Sequence, residues 1–442
     1  MKRVLLWCGA VAWGLLGFGG ASAQDSPVCI ADDNNSHVLT CDHQVPHIST
    51  VPANVGELVH LFVRERVASN HAPGKAVLMI HGLSTPALPA FDLRADHYDW
   101  ALWLAQAGGL DVFMLDFQGS GLSPFPDRNI GVMKDPCNVP LAQQSILIPN
   151  PLSGTCPSSY AFQLINSQSD WSELDSVVDY IRDLRGVDKV ALVSWSQGSL
   201  RIGPYAVQHP EKVDSLLFLA PIYNPEGRAG TGPDGFSTPP CPSGQACTPQ
   251  PGQVCGPGQV CIPQPGTPMT LQTRNDLMMQ RWGPEIQCQD QVEDGIQDLV
   301  WNATMDNDSL GRTWGPPPVG APADSPPEGI MRVRAPFLWG WNASTVSRIS
   351  GSVPVLIIVG TLDRQVEVFP KFPNSFFNLY ETIPHNHKLL FRVDCAGHMM
   401  NWERQRRVLH HISKEWLNHG AVEGFTNGRF FVDTEGVLHP LQ

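Results

Sequence analysis

The chain has 442 residues, 42% of them hydrophobic, and a formal net charge of −13. That much apolar material can fill a large core, which excludes a chain disordered throughout. The acid excess comes with no basic stripe, which excludes a groove for nucleic acid.

Lys2 and Arg3 precede an apolar run over 4–18, and Gly19-Gly20-Ala21-Ser22-Ala23 follows before Gln24. A charged start, a short apolar middle and an Ala-x-Ala end predict a signal peptide over 1–23. The run is shorter than the roughly 20 apolar residues that cross a bilayer, and no later stretch is long enough. The mature chain therefore reads as secreted or periplasmic, with no integral membrane anchor. Export changes the meaning of the cysteines. Of eleven, Cys8 leaves with the leader, and an even set enters an oxidising compartment. Disulfides are expected, not metal or thiol chemistry. Cys29 with Cys41 and Cys137 with Cys156 can close local loops. Cys241, Cys247, Cys255 and Cys261 lack the close pairs of a zinc site and can pair among themselves in three ways. Full oxidation would then bring Cys288 to Cys395.

In chain order, β-rich runs over 38–41 and 58–63 lead into the fold. A buried strand over 76–80 runs directly into His81-Gly82-Leu83-Ser84. Trp100, Trp103, Leu104 and Ala107 mark a helix that stops at Gly108-Gly109. A strand over 112–115 enters Asp116-Phe117-Gln118-Gly119-Ser120-Gly121-Leu122-Ser123. Residues 124–169 lose periodicity and read as a loop insertion tied by Cys137 and Cys156. An amphipathic helix over 172–185 precedes a strand over 190–193. That strand breaks at Ser194-Trp195-Ser196-Gln197-Gly198, and a helix can begin at Ser199. After a strand over 215–219 the alternation stops, from about 222 to 350. This stretch contains a small duplication, Gly244 to Gly252 recurring as Gly258 to Gly266. It also holds an Asp306-Asn307-Asp308 run that fails as a calcium loop, because its twelfth position is Pro317. A strand over 353–359 then ends at Gly360-Thr361-Leu362-Asp363, and one over 388–393 ends at Asp394-Cys395-Ala396-Gly397-His398. A helix over 402–417 and a hairpin signal at Asn427-Gly428 close the chain.

Alternating strands and helices predict an α/β fold, a mostly parallel doubly wound sheet with its site outside the carboxyl ends of the strands. Ser196, Asp363 and His398 each stand just past a strand, in that order. The chain resembles the α/β-hydrolase superfamily in four pieces: His81-Gly82, Asp116-x-x-Gly119-x-Gly121-x-Ser123, the strand-turn-helix elbow at Ser196, and Gly397-His398. The resemblance covers roughly 55–123, 170–220 and 351–418. It implies a catalytic triad in which His398 takes the proton of Ser196 and Asp363 orients the imidazole. It also implies an oxyanion hole from the N–H groups of Gln197 and Leu83, typically worth about 3–4 kcal/mol per donor. Glu226 is the rival acid, but it stands some residues beyond its strand. His81 is expected to shape the oxyanion loop and Asp116 to brace its glycine-rich turn. His385, His387, His410 and His411 read as surface histidines.

The expected division is hydrolase core over 24–220, a disulfide-rich lid over 221–350, and core again over 351–442. The lid segment holds Trp282, Trp301, Trp314, Trp339 and Trp341, which suit an apolar or aromatic substrate unless they form the lid's own core. The reading is an esterase acting on a small-molecule carboxylic ester, needing no metal and no cofactor, with the oligomeric state open. The same triad would serve an amidase or peptidase, a lactonase or a thioesterase. A non-catalytic binding module on this scaffold is the alternative of another class.

Overall fold

Strands that are buried on both faces carry the architecture. In the computed structural model, which describes residues 28–32, 35–69, 74–95, 97–123, 131–239, 264–322, 324–367 and 375–441, an 11-stranded sheet runs through the molecule. Its strands are β1 (Val28–Asp32), β2 (Asn35–Ile48), β3 (Leu58–Ala68), β4 (Ala76–Ile80), β5 (Asp111–Leu115) and β6 (Val190–Trp195). They continue as β7 (Val213–Leu219), β8 (Val355–Gly360), β9 (Lys388–Val393), β10 (Gly428–Val432) and β11 (Leu438–Pro440). The spatial order is β1-β2-β3-β5-β4-β6-β7-β8-β9-β10-β11. Neighbours from β5 through β10 are parallel, while the two ends of the sheet are antiparallel. Every residue of β4, β5, β6 and β8 is buried. Such continuous apolar runs are what a parallel sheet covered by helices on both faces requires.

Four of the longer helices are α1 (Trp100–Gly108), α2 (Ser167–Arg185), α3 (Ser199–Gln208) and α4 (Arg406–His419). α2 begins earlier than the periodicity predicts. Asn166 caps it, accepting from Ser169 N at 2.9 Å while Ser169 Oγ accepts from Asn166 N at 3.1 Å. The Asn/Ser-rich stretch that looks like loop is thus a capping box. Asn427-Gly428 is not a hairpin turn. It opens β10, which adds parallel to β9, and the turn lies at 433–437, where Asp433 N bonds Val437 O at 3.1 Å.

The expected leader over 1–23 and the cysteines from Cys241 to Cys261 lie outside the described residues. Among the described residues three disulfides are present, Cys29–Cys41, Cys137–Cys156 and Cys288–Cys395. The described part of 221–350 packs into the same core as the sheet. Leu277, Met278, Trp282, Val300, Trp301, Trp339 and Trp341 are buried in one cluster with the strands. Trp341 lies on α3 at Gly203, where a Cβ would come within 2.4 Å of the indole. Trp314 sits in a second cluster that joins the 131–165 segment to Met269, Leu271 and Ile330.

Candidate active site

The serine is presented by local chain geometry. β6 ends at Trp195, and Ser196 turns the chain with φ 57° before α3 starts. A non-glycine residue in the left-handed region costs of order 1–3 kcal/mol and persists only where its surroundings impose it. The packing that imposes it is tight. A Cβ on Gly198 would stand 2.6 Å from Ile80 O and 2.9 Å from Ser194 Cβ, so only glycine lets helix and strand approach this closely. Ser194, in the place of a first glycine, is small enough to be accepted. A Cβ on Gly82 would lie 3.2 Å from Ser196 Cβ, which sets the 81–84 loop directly against the serine.

His398 and Asp363 come from the ends of β9 and β8. His398 Nε2 is 2.9 Å from Ser196 Oγ, and its Nδ1 is 3.0 and 3.1 Å from the two oxygens of Asp363. Asp363 also accepts from Gln365 N and Val366 N, both at 3.0 Å, which fixes its carboxylate. Burial opposes a charged His398, but the charge and hydrogen bond of Asp363, with Glu285 adding, win and raise its pKa above the usual value.

Glu285 was not visible as a site residue in the sequence. Although it comes from the 221–350 segment, it is fully buried behind the histidine. Its Oε2 accepts from His398 N at 2.7 Å and its Oε1 from Arg364 N at 3.0 Å, so one carboxylate ties the loops of both partners. Burial first, then the charge of Asp363, pushes its pKa up to about 7. Around it, Trp282 Nε1 donates to Glu403 at 2.9 Å, Glu403 accepts from Gly397 N at 2.7 Å, and Cys288 is bonded to Cys395. The only signal for this brace was the cysteine count.

Beneath the 81–84 loop lies a second feature that the sequence did not announce. Asp170 takes Arg201 Nε at 2.7 Å and Arg334 Nη2 at 3.2 Å, all three buried, with both guanidiniums over the ring of Phe117. His81 Nδ1 lies 2.8 Å from Gly82 O. Its burial, then these two arginines, hold its pKa well below the ordinary range, so it stays neutral. Asp116 accepts from Ala87 N at 2.8 Å and Leu122 N at 2.9 Å, the structural role expected of it.

A cleft of about 410 Å³ opens over Ser196, lined by Leu83, Gln197, Trp195, Ile222, Leu277, Arg281, Arg364, His398 and Met399, among others. Leu83 and Gln197 flank the serine there, where two N–H groups could meet an oxyanion. None of Trp282, Trp301, Trp314, Trp339 and Trp341 lines the cleft; they anchor their segment, and Trp195 is the indole at the site. Among the described residues, no group of three or more His, Cys, Asp or Glu side chains could hold a metal ion.

A family model described as the alpha/beta hydrolase fold matches residues 75–240, the stretch from β4 through the serine elbow and beyond. The chain has the α/β-hydrolase fold. Similar solved structures include a 2-hydroxy-6-oxo-6-phenylhexa-2,4-dienoate hydrolase from Rhodococcus sp. strain RHA1, 12% identical, covering 83% of this chain and 95% of that one with TM-score 0.41. A thermophilic esterase from Thermogutta terrifontis is 13% identical, with 86% and 99% covered and TM-score 0.42. A serine hydrolase from Cycloclasticus zankles is 12% identical, with 86% and 98% covered and TM-score 0.44. No curated protein matches the sequence. In this α/β-hydrolase fold, Glu226 is exposed in a turn and does not reach His398. His410 departs from expectation. It is buried on the inner face of α4, stacked against Trp100 and Trp103, and burial followed by the charge of Arg406 lowers its pKa to about 3. Its i−1, i+2 and i+6 neighbours Leu409, Ile412 and Trp416 belong to that same buried face.

Proposed function

We propose that the protein is an exported serine hydrolase that cleaves carboxylic esters through an acyl-enzyme. The observation that carries this reading is the unbroken line of hydrogen bonds from Asp363 through His398 to Ser196 Oγ, opening onto the cleft. Ser196 Oγ attacks the ester carbonyl as His398 Nε2 takes its proton. Asp363 holds the Nδ1–H tautomer and stabilises the imidazolium. The N–H groups of Leu83 and Gln197 hold the oxyanion. His398 then protonates the departing alkoxide, and the ester C–O bond breaks. A water enters, His398 takes its proton, hydroxide adds to the acyl carbonyl, and Ser196 leaves reprotonated. Export is supported by the leader pattern and by the three disulfides among the described residues.

A fluorophosphonate probe tests the nucleophile. It should label Ser196, and Ser196→Ala should abolish labelling; a label that persists on another serine overturns the assignment. A panel of p-nitrophenyl esters set against an aminoacyl anilide tests the bond. Faster cleavage of the anilide would make the enzyme an amidase or peptidase.

A further inference from the structure

The walls of the cleft over Ser196 are unevenly charged. Leu83, Trp195, Ile222, Leu277 and Met399 make an apolar interior. Among the described residues, the only charged side chains lining it apart from His398 are Arg281 and Arg364, and no carboxylate does. In a chain of net charge −13 this is a local inversion of sign, and a low-dielectric cleft focuses such a field.

Arg281 is held but not neutralised. With the Gln272 amide oxygen turned toward it, Arg281 donates from Nη1 at 3.0 Å and Nη2 at 2.8 Å, and the Gln272 nitrogen donates to Ser84 Oγ at 3.2 Å. A neutral amide orients the guanidinium fork and leaves its charge in place. Asp276, the acid whose charge acts on it, accepts from Thr273 N at 2.9 Å and Thr273 Oγ1 at 2.8 Å. Among the described residues neither Arg281 nor Arg364 has a carboxylate at ion-pair distance. Glu285 takes the backbone N–H of Arg364 and faces His398 with its other oxygen. Arg281 sits in a π-helical stretch, Asn275–Trp282, that also supplies Leu277 to the cleft. Such turns are rare and occur frequently at functional sites. Its charge also reaches the reacting centre, where it opposes protonation of His398.

The geometry points to an anionic substrate: an ester that bears a carboxylate, gripped at the rim by Arg281 with Arg364 beside it, while its apolar body lies over Trp195 and Leu277 and its ester carbonyl meets Ser196. An oriented guanidinium suits a carboxylate because two parallel N–H donors match its two oxygens. The inference rests on the hydrolase reading above and narrows it to a substrate class.

Two esters of equal acyl length and the same leaving group decide it: mono-p-nitrophenyl glutarate, which carries the carboxylate, and p-nitrophenyl valerate, which does not. Wild type should favour the glutarate by about tenfold or more in kcat/KM. That ratio should fall by at least about fivefold in Arg281→Gln, be partly restored in Arg281→Lys, and shrink in about 0.5 M salt. The salt series uses wild type alone, so it holds even where a variant fails to fold. Turnover of the valerate with a ratio at or below one in wild type overturns the anionic substrate and leaves the hydrolase reading standing. A ratio that salt does not change overturns it too. Turnover of neither ester, with Ser196 unlabelled by fluorophosphonate, overturns both.

Discussion

The two halves of the candidate site are built in opposite ways. The serine half is local: strand β6, the Ser196 turn and helix α3 span 190–208, and the glycines that permit the geometry lie within or beside it. The histidine half is long-range. His398 is held by Glu285 at a sequence separation of 113, and the Cys288–Cys395 bond next to it closes a separation of 107. A local device folds with its own segment, whereas the histidine half depends on the 221–350 segment being docked. That segment therefore holds the loop of His398 as well as lining the cleft through Ile222, Leu277 and Arg281.

The largest effects should come from the reacting groups. Ser196→Ala or His398→Ala should each lower kcat on the order of 10⁵-fold or more, and Asp363→Asn about 10⁴-fold. Glu226→Gln should leave kcat unchanged, and a loss there matching that of Asp363→Asn would move the acid. The next effect separates the halves. The double variant Cys288→Ser/Cys395→Ser should lose roughly 2–5 kcal/mol of stability, and kcat should fall with it as the histidine loop loosens. Cys29→Ser/Cys41→Ser, which opens the β1–β2 hairpin far from the site, should lower Tm and spare kcat. Equal kcat losses in both would show that the brace has no special link to His398.

The smallest effect is the most specific. Glu285→Gln keeps the shape but turns an amide N–H toward a backbone N–H, so kcat should fall about tenfold. It also removes a carboxyl whose charge, present above its own pKa of about 7, helps hold His398 above its usual pKa. In the proposed mechanism the base form of His398 is the active one, so kcat/KM should fall as pH drops through that raised value. Without Glu285 the acid limb should move to lower pH. A limb that stays in place, measured in the folded variant, would reduce Glu285 to a structural prop.

This asymmetry also explains what the sequence could show. The fully buried strands β4, β5, β6 and β8 are legible because burial on both faces leaves uninterrupted apolar runs. Ser196 and Asp363 stand out because each follows such a run, and His398 because it follows the largely apolar strand β9. Glu285 has no such marker: an isolated acid in an aperiodic stretch looks solvated, and only docking buries it. The five tryptophans stay open in the sequence for the same reason, since composition cannot say whether an indole faces a cleft or fills a core. His410 shows that a polar residue on the apolar face of α4 follows its helix inward when rings are there to stack on it.

In the proposed mechanism Ser196 forms a covalent acyl intermediate with His398 as its base. Acid-quenching the enzyme during turnover of a p-nitrophenyl ester, followed by peptide mass spectrometry, tests it most directly. The acyl mass should appear on the peptide that contains Ser196, be absent in Ser196→Ala and be strongly depleted in His398→Ala. Steady turnover with Ser196 unmodified, or the acyl group on another residue, would contradict it.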